Sequence, residues 1–213
     1  MWIKVCGLTQ AADAVHAAEV GATAVGLVFW ANSPRAVSVR QAAEIVAALP
    51  AGVTPVGVFV NAAPEMVLKT VERLGLGAVQ FHGDEAPAAA AGLRCPILRS
   101  TTLADAARVR AAWPPDTLLL LDAADPERRG GTGTRVDWAA AAVIAEGGPV
   151  VLAGGLTADN VAEAVARVRP RGVDVSSGVE VAPGVKDRDK VARFVEQARR
   201  ALEVVAADET RTR

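Results

Sequence analysis

Apolar and polar positions in this chain fall into a repeating pattern: a short β-rich run, a turn, then a longer amphipathic stretch rich in alanine. The short runs predict strands at 2–6, 24–29, 54–60, 77–82, 96–99, 117–122, 150–153 and 172–176, because Val- and Ile-rich runs bounded by turn residues favour extended backbone. The amphipathic stretches predict helices at about 10–20, 39–49, 64–74, 85–91, 103–112, 137–146 and 159–168, with a last one at 188–206. Thr9, Ser38 and Asp137 stand where a side-chain oxygen can cap exposed N–H groups, and Pro64 suits a first helical turn. Glycines such as Gly21 and Gly75 stand where helices should stop. No linker or shift in composition divides the chain. Residues 1–206 are therefore expected to form one catalytic domain, followed by a polar tail at 207–213.

Regular β/α alternation implies a parallel sheet covered by helices, either open and doubly wound or closed into a barrel. The parity of the strands separates the two. Side chains alternate faces along a strand, so Lys4 and Cys6 share one face, Gln80 and His82 another, and Asp174 and Ser176 a third. Asp122 directly follows the apolar run Leu118–Leu121. An open sheet would bury one of these polar sets under helices. In a barrel they point inward and converge at the mouth, and most lie near strand C-termini, where active sites of such barrels are found. The expected fold is a single-domain (β/α)8 TIM barrel.

Composition narrows the function. The chain is 51% hydrophobic, with 23 basic and 24 acidic residues, so its near-neutral charge gives no electrostatic reason to bind nucleic acid or an anionic membrane. Its strongly apolar stretches are all broken by Gly, Pro or a charge, and Met1–Val5 reads as a strand, not as a signal segment. Two cysteines and two histidines supply neither a disulfide framework nor a multi-histidine metal site. A soluble, cytoplasmic protein acting on a small molecule is expected, without a cofactor or metal. Its oligomeric state is left open.

Candidate chemistry lies at the strand ends. Cys6 alone reads as a small buried apolar residue, but its place in Lys4–Thr9 puts it inward at the catalytic end. Cys95, before Pro96, belongs at the opposite end. Asp122 is either the partner of a lysine such as Lys4 or an acid kept protonated by partial desolvation. Gly154-Gly155 follows strand 7 and Asp174–Glu180 follows strand 8, the two loops that form a phosphate site in many barrels. Arg35, in the loop after strand 2, offers a planar fork to a carboxylate. His82 is read as a substrate contact or a structural histidine. Gly130–Thr134 lacks the spacing of a nucleotide-binding loop and is read as a lid.

Together these segments resemble the phosphoribosylanthranilate isomerase family. The resemblance rests on Lys4–Thr9, Ser33–Arg35, Val58–Asn61, Val79–Gly83, Leu121-Asp122, Gly130–Gly133, Leu152–Leu156, Asp174–Glu180 and Pro183–Asp187, in order along the chain. Phe81, where leucine is common, and Thr134, where lysine is common, depart from the pattern. The resemblance implies an Amadori rearrangement in tryptophan biosynthesis, with no cofactor. It makes Asp122 the general acid that opens the sugar ring and Cys6 the base that removes the C2 proton. It gives Arg35 the anthranilate carboxylate and assigns Gly154, Gly155, Ser176, Ser177 and Gly178 to the phosphate, with Asp174 orienting that site. Gln80 and His82, inward by parity, are expected substrate contacts. Lys4 is expected to favour the Cys6 thiolate. Ribulose-phosphate epimerase would need more inward histidines. The related histidine-pathway isomerase prefers aspartate where this chain has Cys6, and a silent scaffold barrel would need neither Cys6 nor Asp122.

Overall fold

The computed structural model describes residues 1–123 and 136–211. Eight parallel strands close on themselves in chain order: β1 (Trp2–Cys6), β2 (Ala24–Val28), β3 (Thr54–Phe59), β4 (Ala78–Phe81), β5 (Ile97–Thr101), β6 (Leu118–Leu121), β7 (Val150–Leu152) and β8 (Gly172–Val175). The seam pairs β1 with β8, setting Lys4 against Asp174 and Val5 against Val175. Around the barrel lie α1 (Ala11–Glu19), α2 (Val39–Ala48), α3 (Pro64–Leu74), α4 (Ala106–Ala112), α5 (Trp138–Glu146), α6 (Val161–Val168) and α7 (Arg188–Arg211). A two-stranded hairpin, β9 (Glu180–Ala182) and β10 (Val185–Lys186), follows β8 and is absent from the sequence expectation.

Strand parity does what the pleat requires. The odd-numbered members of β1, Ile3 and Val5, pack outward with Val79, Phe81, Leu119, Leu121, Val173 and Val175 against the helices. The lower interior is a dry plug of Ala24, Val56, Ala78, Leu98, Leu120, Val151 and Ala153. Filling the base with side chains leaves only the upper mouth for a ligand.

Local signals explain most element ends. Ser38 and Gln41 form a capping box on α2, Asp137 accepts from the backbone of Ala139 and Ala140, Pro64 opens α3, and Gly75 ends it at φ 63°. Thr9 does not cap α1. Its hydroxyl donates to the Gly184 carbonyl at 2.6 Å, and the cap position falls to Gln10, whose side chain makes no cap bond. The helix expected at 85–91 is only a single 3-10 turn, Pro87–Ala90. Pro87 lacks an N–H, Gly92 turns left-handed, and the alanines between carry too little apolar surface to hold a longer helix against the barrel. Helix α7 continues through the expected tail to Arg211, where Val205 still packs into the core and Arg169 lies 3.8 Å from Asp208. The expected lid at Gly130–Thr134 lies outside the described residues.

Candidate active site

The mouth of the barrel has two walls. On the first, β1 and β8 bring Lys4, Cys6 and Asp174 together. Lys4 has no solvent exposure, and its Nζ lies 3.0 Å from Asp174 Oδ1. Burial disfavours the ammonium, but the charge of Asp174 more than restores it, so Lys4 remains a cation. The lysine that might have paired with Asp122 is thus committed to Asp174. Cys6 sits above this pair beside Val28, Val58 and Trp30. Its neighbours oppose one another. Burial raises the thiol above its usual range, Lys4 and Lys186 pull it down, and burial wins. The expectation that Lys4 favours the thiolate is correct in sign but does not decide the resting state, because so dry a setting penalises the anion.

Arg35 stands over Gly7, where a Cβ would run into its side chain. Its Nε and Nη2 donate to the two carboxylate oxygens of Glu180 at 2.8 and 2.7 Å. Glu180 Oε1 also receives Lys186 Nζ at 2.7 Å. Neither Glu180 nor Lys186 was singled out by sequence reasoning, though both lie within motifs that carry the family resemblance.

Among the described residues, the inward face of the second wall carries the Asp122 carboxylate and the His82 imidazole. Gln80, inward on β4, donates its amide to Ser100 Oγ and lies 3.0 Å from His82 Nδ1, while Ser100 Oγ approaches the same nitrogen at 2.8 Å. Gln80, Ser100 and His82 thus form one hydrogen-bonded chain across β4 and β5. Nε2 faces Asp122 Oδ2 at 3.7 Å, and Asp122 Oδ1 accepts from the Ala123 N–H at 2.8 Å. Arg99, a buried arginine on the outer face of β5, holds the carbonyls of Phe81 and Gly83 on either side of His82. Its guanidinium lies 5.5 Å over the Trp113 ring. Ser100 and Arg99 were also missed from sequence; neither stands in a motif, and only the strand register brings them to β4.

Between the walls lies a pocket lined by Asp122, Gly154, Gly155, Asp174, Ser176, Ser177 and Gly178, among others. Gly154 and Gly155 adopt φ 75° and 65°, a left-handed backbone that glycine takes without penalty. Their N–H groups have no backbone acceptor among the described residues. Asn160 pins the loop from below by accepting from Thr157 N and donating to Gly155 O. A Cβ on Gly178 would overlap the Leu156 carbonyl, so the two glycine loops meet only because that residue has no side chain. After β8 comes a short 3-10 turn, Ser177–Val179. The structure thus brings Cys6, Arg35, Gln80, His82, Asp122, Asp174 and both glycine segments to one mouth. Cys95 lies apart from them before β5 and, like Cys6, is a free thiol. Among the described residues no group of three or more His, Cys, Asp or Glu is placed to hold a metal ion, and no helix is long and apolar enough to cross a membrane.

Fold and mouth together define a (β/α)8-barrel isomerase. The chain belongs to the N-(5'-phosphoribosyl)anthranilate isomerase family, whose model matches residues 3–197. It is 49% identical to N-(5'-phosphoribosyl)anthranilate isomerase of Acidithiobacillus ferrooxidans, over 92% of this chain and 97% of that one. The enzyme of that name from Geobacter sp. is 47% identical over 93% and 98%. Among solved structures, phosphoribosyl anthranilate isomerase from Thermotoga maritima superimposes with TM-score 0.86 at 37% identity, covering 93% of this chain and 98% of that one. A phosphoribosyl anthranilate isomerase in complex with reduced 1-(o-carboxyphenylamino)-1-deoxyribulose 5-phosphate matches with TM-score 0.81 at 35% identity, covering 93% and 98%.

Proposed function

We propose that this chain converts N-(5-phosphoribosyl)anthranilate to 1-(2-carboxyphenylamino)-1-deoxyribulose 5-phosphate, the Amadori step of tryptophan biosynthesis. The observation that carries the reading is that Cys6 ends β1 and Asp122 follows β6, on opposite sides of one closed barrel, with the left-handed glycine pair after β7. In this reading Asp122 protonates the furanose ring oxygen, and the ring opens to a Schiff base. Cys6 then removes the C2 proton, and the resulting enolamine tautomerises to the ketone. Each step needs a proton donor or acceptor within reach of the substrate, not a redox group.

The substrate's three parts find matching chemistry. Its phosphate suits the uncommitted N–H groups of Gly154 and Gly155 with Ser176, Ser177 and Gly178 around them. Asp174 supports this region through Lys4 instead of contacting the phosphate as a bare anion. The anthranilate ring suits the apolar patch of Val28, Val58 and Trp30, beside which Arg35 stands. Glu180 occupies one edge of the Arg35 fork, and the end formed by Nη1 and Nη2 is left for the carboxylate. Gln80 and His82 shape the acid side. A small phosphorylated substrate of this kind is consistent with a cytoplasmic enzyme. Freshly made phosphoribosylanthranilate should lose its fluorescence when the protein is added. A folded sample that leaves the signal unchanged would overturn the assignment.

A further inference from the structure

The base wall contains more charge than a thiol and one lysine require. Five ionisable groups other than Cys6 meet there: Lys4 on β1, Asp174 on β8, Arg35 in the loop after β2, Glu180 on β9 and Lys186 on β10. Lys4 and Asp174 neutralise each other. Glu180 is shared by two cations, with Arg35 on both of its oxygens and Lys186 on Oε1. The cluster therefore holds three positive groups and two negative ones. Lys186 is almost completely enclosed, its side chain only 1% exposed, and its ammonium also donates to the Ser176 carbonyl at 3.3 Å. Ser176 follows Val175, the β8 residue paired with Val5, so it stands at the level of Cys6 across the barrel seam. A lysine so enclosed, without a carboxylate of its own, is costly to keep charged. A negative charge arriving next to it recovers that cost.

We propose that the β9–β10 hairpin belongs to the base machinery: Lys186 stabilises the Cys6 thiolate, and Glu180 positions both Lys186 and Arg35. The inference rests on Cys6 acting as the base. Forming the thiolate brings the cluster to charge balance. The thiolate then takes the C2 proton of the protonated Schiff base, whose nitrogen carries the positive charge left by ring opening. The C–H electron pair becomes the C1–C2 double bond, and the C1–N double-bond pair moves to nitrogen, leaving a neutral enolamine. The thiol is restored and the surplus positive charge returns to the Lys186 side. Directions of titration agree with this assignment. Burial raises the Cys6 thiol, and Lys186 acts on it in the opposite sense, alongside Lys4. Burial in turn pushes the Lys186 ammonium below its usual range, although Glu180 opposes that fall.

The test uses full-length protein carrying Cys95→Ser, so that Cys6 is the single thiol. Alkylation of Cys6 by iodoacetamide is followed against pH, beside kcat and KM, in the parent, Lys186→Met, Lys186→Gln, Lys186→Arg and Glu180→Gln. Removing a nearby cation should move the alkylation midpoint upward by about one pH unit. One pH unit is a tenfold loss of thiolate at a fixed pH below the midpoint, so kcat should fall about tenfold while KM stays within about threefold. Lys186→Gln keeps a hydrogen-bonding side chain and guards against a variant that merely fails to pack. Lys186→Arg should recover most of the loss, and Glu180→Gln should raise KM as well because Arg35 loses its clamp. Superimposable alkylation profiles for the parent and both neutral variants overturn the proposal, as does an arginine variant no better than methionine. Cys6→Ser is the separate control. Normal turnover there would remove Cys6 as the base, whereas the alkylation profiles would still report whether Lys186 acts on the thiol.

Discussion

The two walls of the mouth are built on opposite principles. The wall of β8, β1 and the hairpin is dense in charge and dry: Lys4, Asp174, Glu180 and Lys186 are nearly or wholly enclosed and joined as ion pairs. The wall of β4, β5 and β6 holds Gln80, Ser100 and His82 in a hydrogen-bonded chain ending near Asp122. The difference follows from the proton each wall must handle. A buried thiol gives up its proton only if cations offset the desolvated anion. A carboxyl that is to donate a proton is poorly served by a full cation at its side. His82, held by Gln80 and Ser100, sets its Nε2 3.7 Å from Asp122 and can orient that carboxyl. One wall is organised to stabilise an anion, the other to place a proton.

Experiments on each wall should therefore give different signatures. The largest effects are expected from removing the reacting groups themselves. Cys6→Ser and Asp122→Asn should each lower kcat by ~10²–10⁴-fold while changing KM far less, because the phosphate and carboxylate contacts remain. With substrate deuterated at sugar C2, the serine variant should show the larger isotope effect. Equal effects would erase the division of labour between the walls.

Next in size is a stability effect confined to the charged wall. Glu180→Gln leaves Arg35 and Lys186 without their shared carboxylate, and breaking a buried ion pair costs roughly 3–5 kcal/mol. Burial pushes the Glu180 carboxyl up, but Arg35 and Lys186 more than offset this and hold it below its ordinary value of 4.5. A depressed folded-state value means that the stabilisation is present above 4.5 and is lost as pH falls through the lower value. Urea unfolding should separate parent and variant fully at neutral pH, and the gap should close under acid conditions. A gap independent of pH would mean that packing, not charge, is what Glu180 contributes.

Gly155→Val acts between the walls. A β-branched residue at φ 65° is strained and would crowd the phosphate cradle. KM should rise about tenfold or more, as expected for loss of a hydrogen bond to a charged group, with kcat nearly intact. An unchanged KM in a folded variant would move the phosphate elsewhere. Ser100→Ala probes the acid wall alone: His82 Nδ1 keeps Gln80 but loses the hydroxyl. A fall in kcat of roughly fivefold is expected, matching the ~1 kcal/mol typical of one neutral hydrogen bond. A loss as large as that from Asp122→Asn would instead make the network an obligatory proton route. Prolonged dialysis against EDTA should change nothing, since both walls act through protons. Loss of activity restored by zinc or manganese would contradict that account of both walls.

Much of this arrangement was legible in sequence because a strand has a period of two. Once the barrel was inferred, parity alone sent Lys4, Cys6, Gln80, His82, Asp174 and Ser176 inward, and burial of Lys4, Gln80 and Asp174 agrees. The glycine loops were legible because a close backbone approach requires glycine. What escaped was whatever depended on distant partners or very short elements. Strands β9 and β10 are three and two residues long, too short to show any alternation. Arg99 looked like a charge on a strand, and nothing local revealed the carbonyls of Phe81 and Gly83 that it bridges. Thr9 had the correct residue type for a helix cap, but a carbonyl 175 positions away took its hydroxyl.

The closure of β1 against β8 also has a consequence in time. Cys6 is made before its ion-paired surroundings: the Lys4–Asp174 bond spans 170 positions, and Glu180 and Lys186 come later still. At ribosomal rates of about 5–20 residues per second, the thiol waits on the order of ten to thirty seconds for the carboxylate beneath it. Once β6 is made the strands of the acid wall are all present, while β1 still lacks its β8 partner. The thiol can acquire its buried, ion-paired setting only when the last strand and the hairpin after it have been made. The order of synthesis keeps the base unassembled until the vessel that confines it is complete.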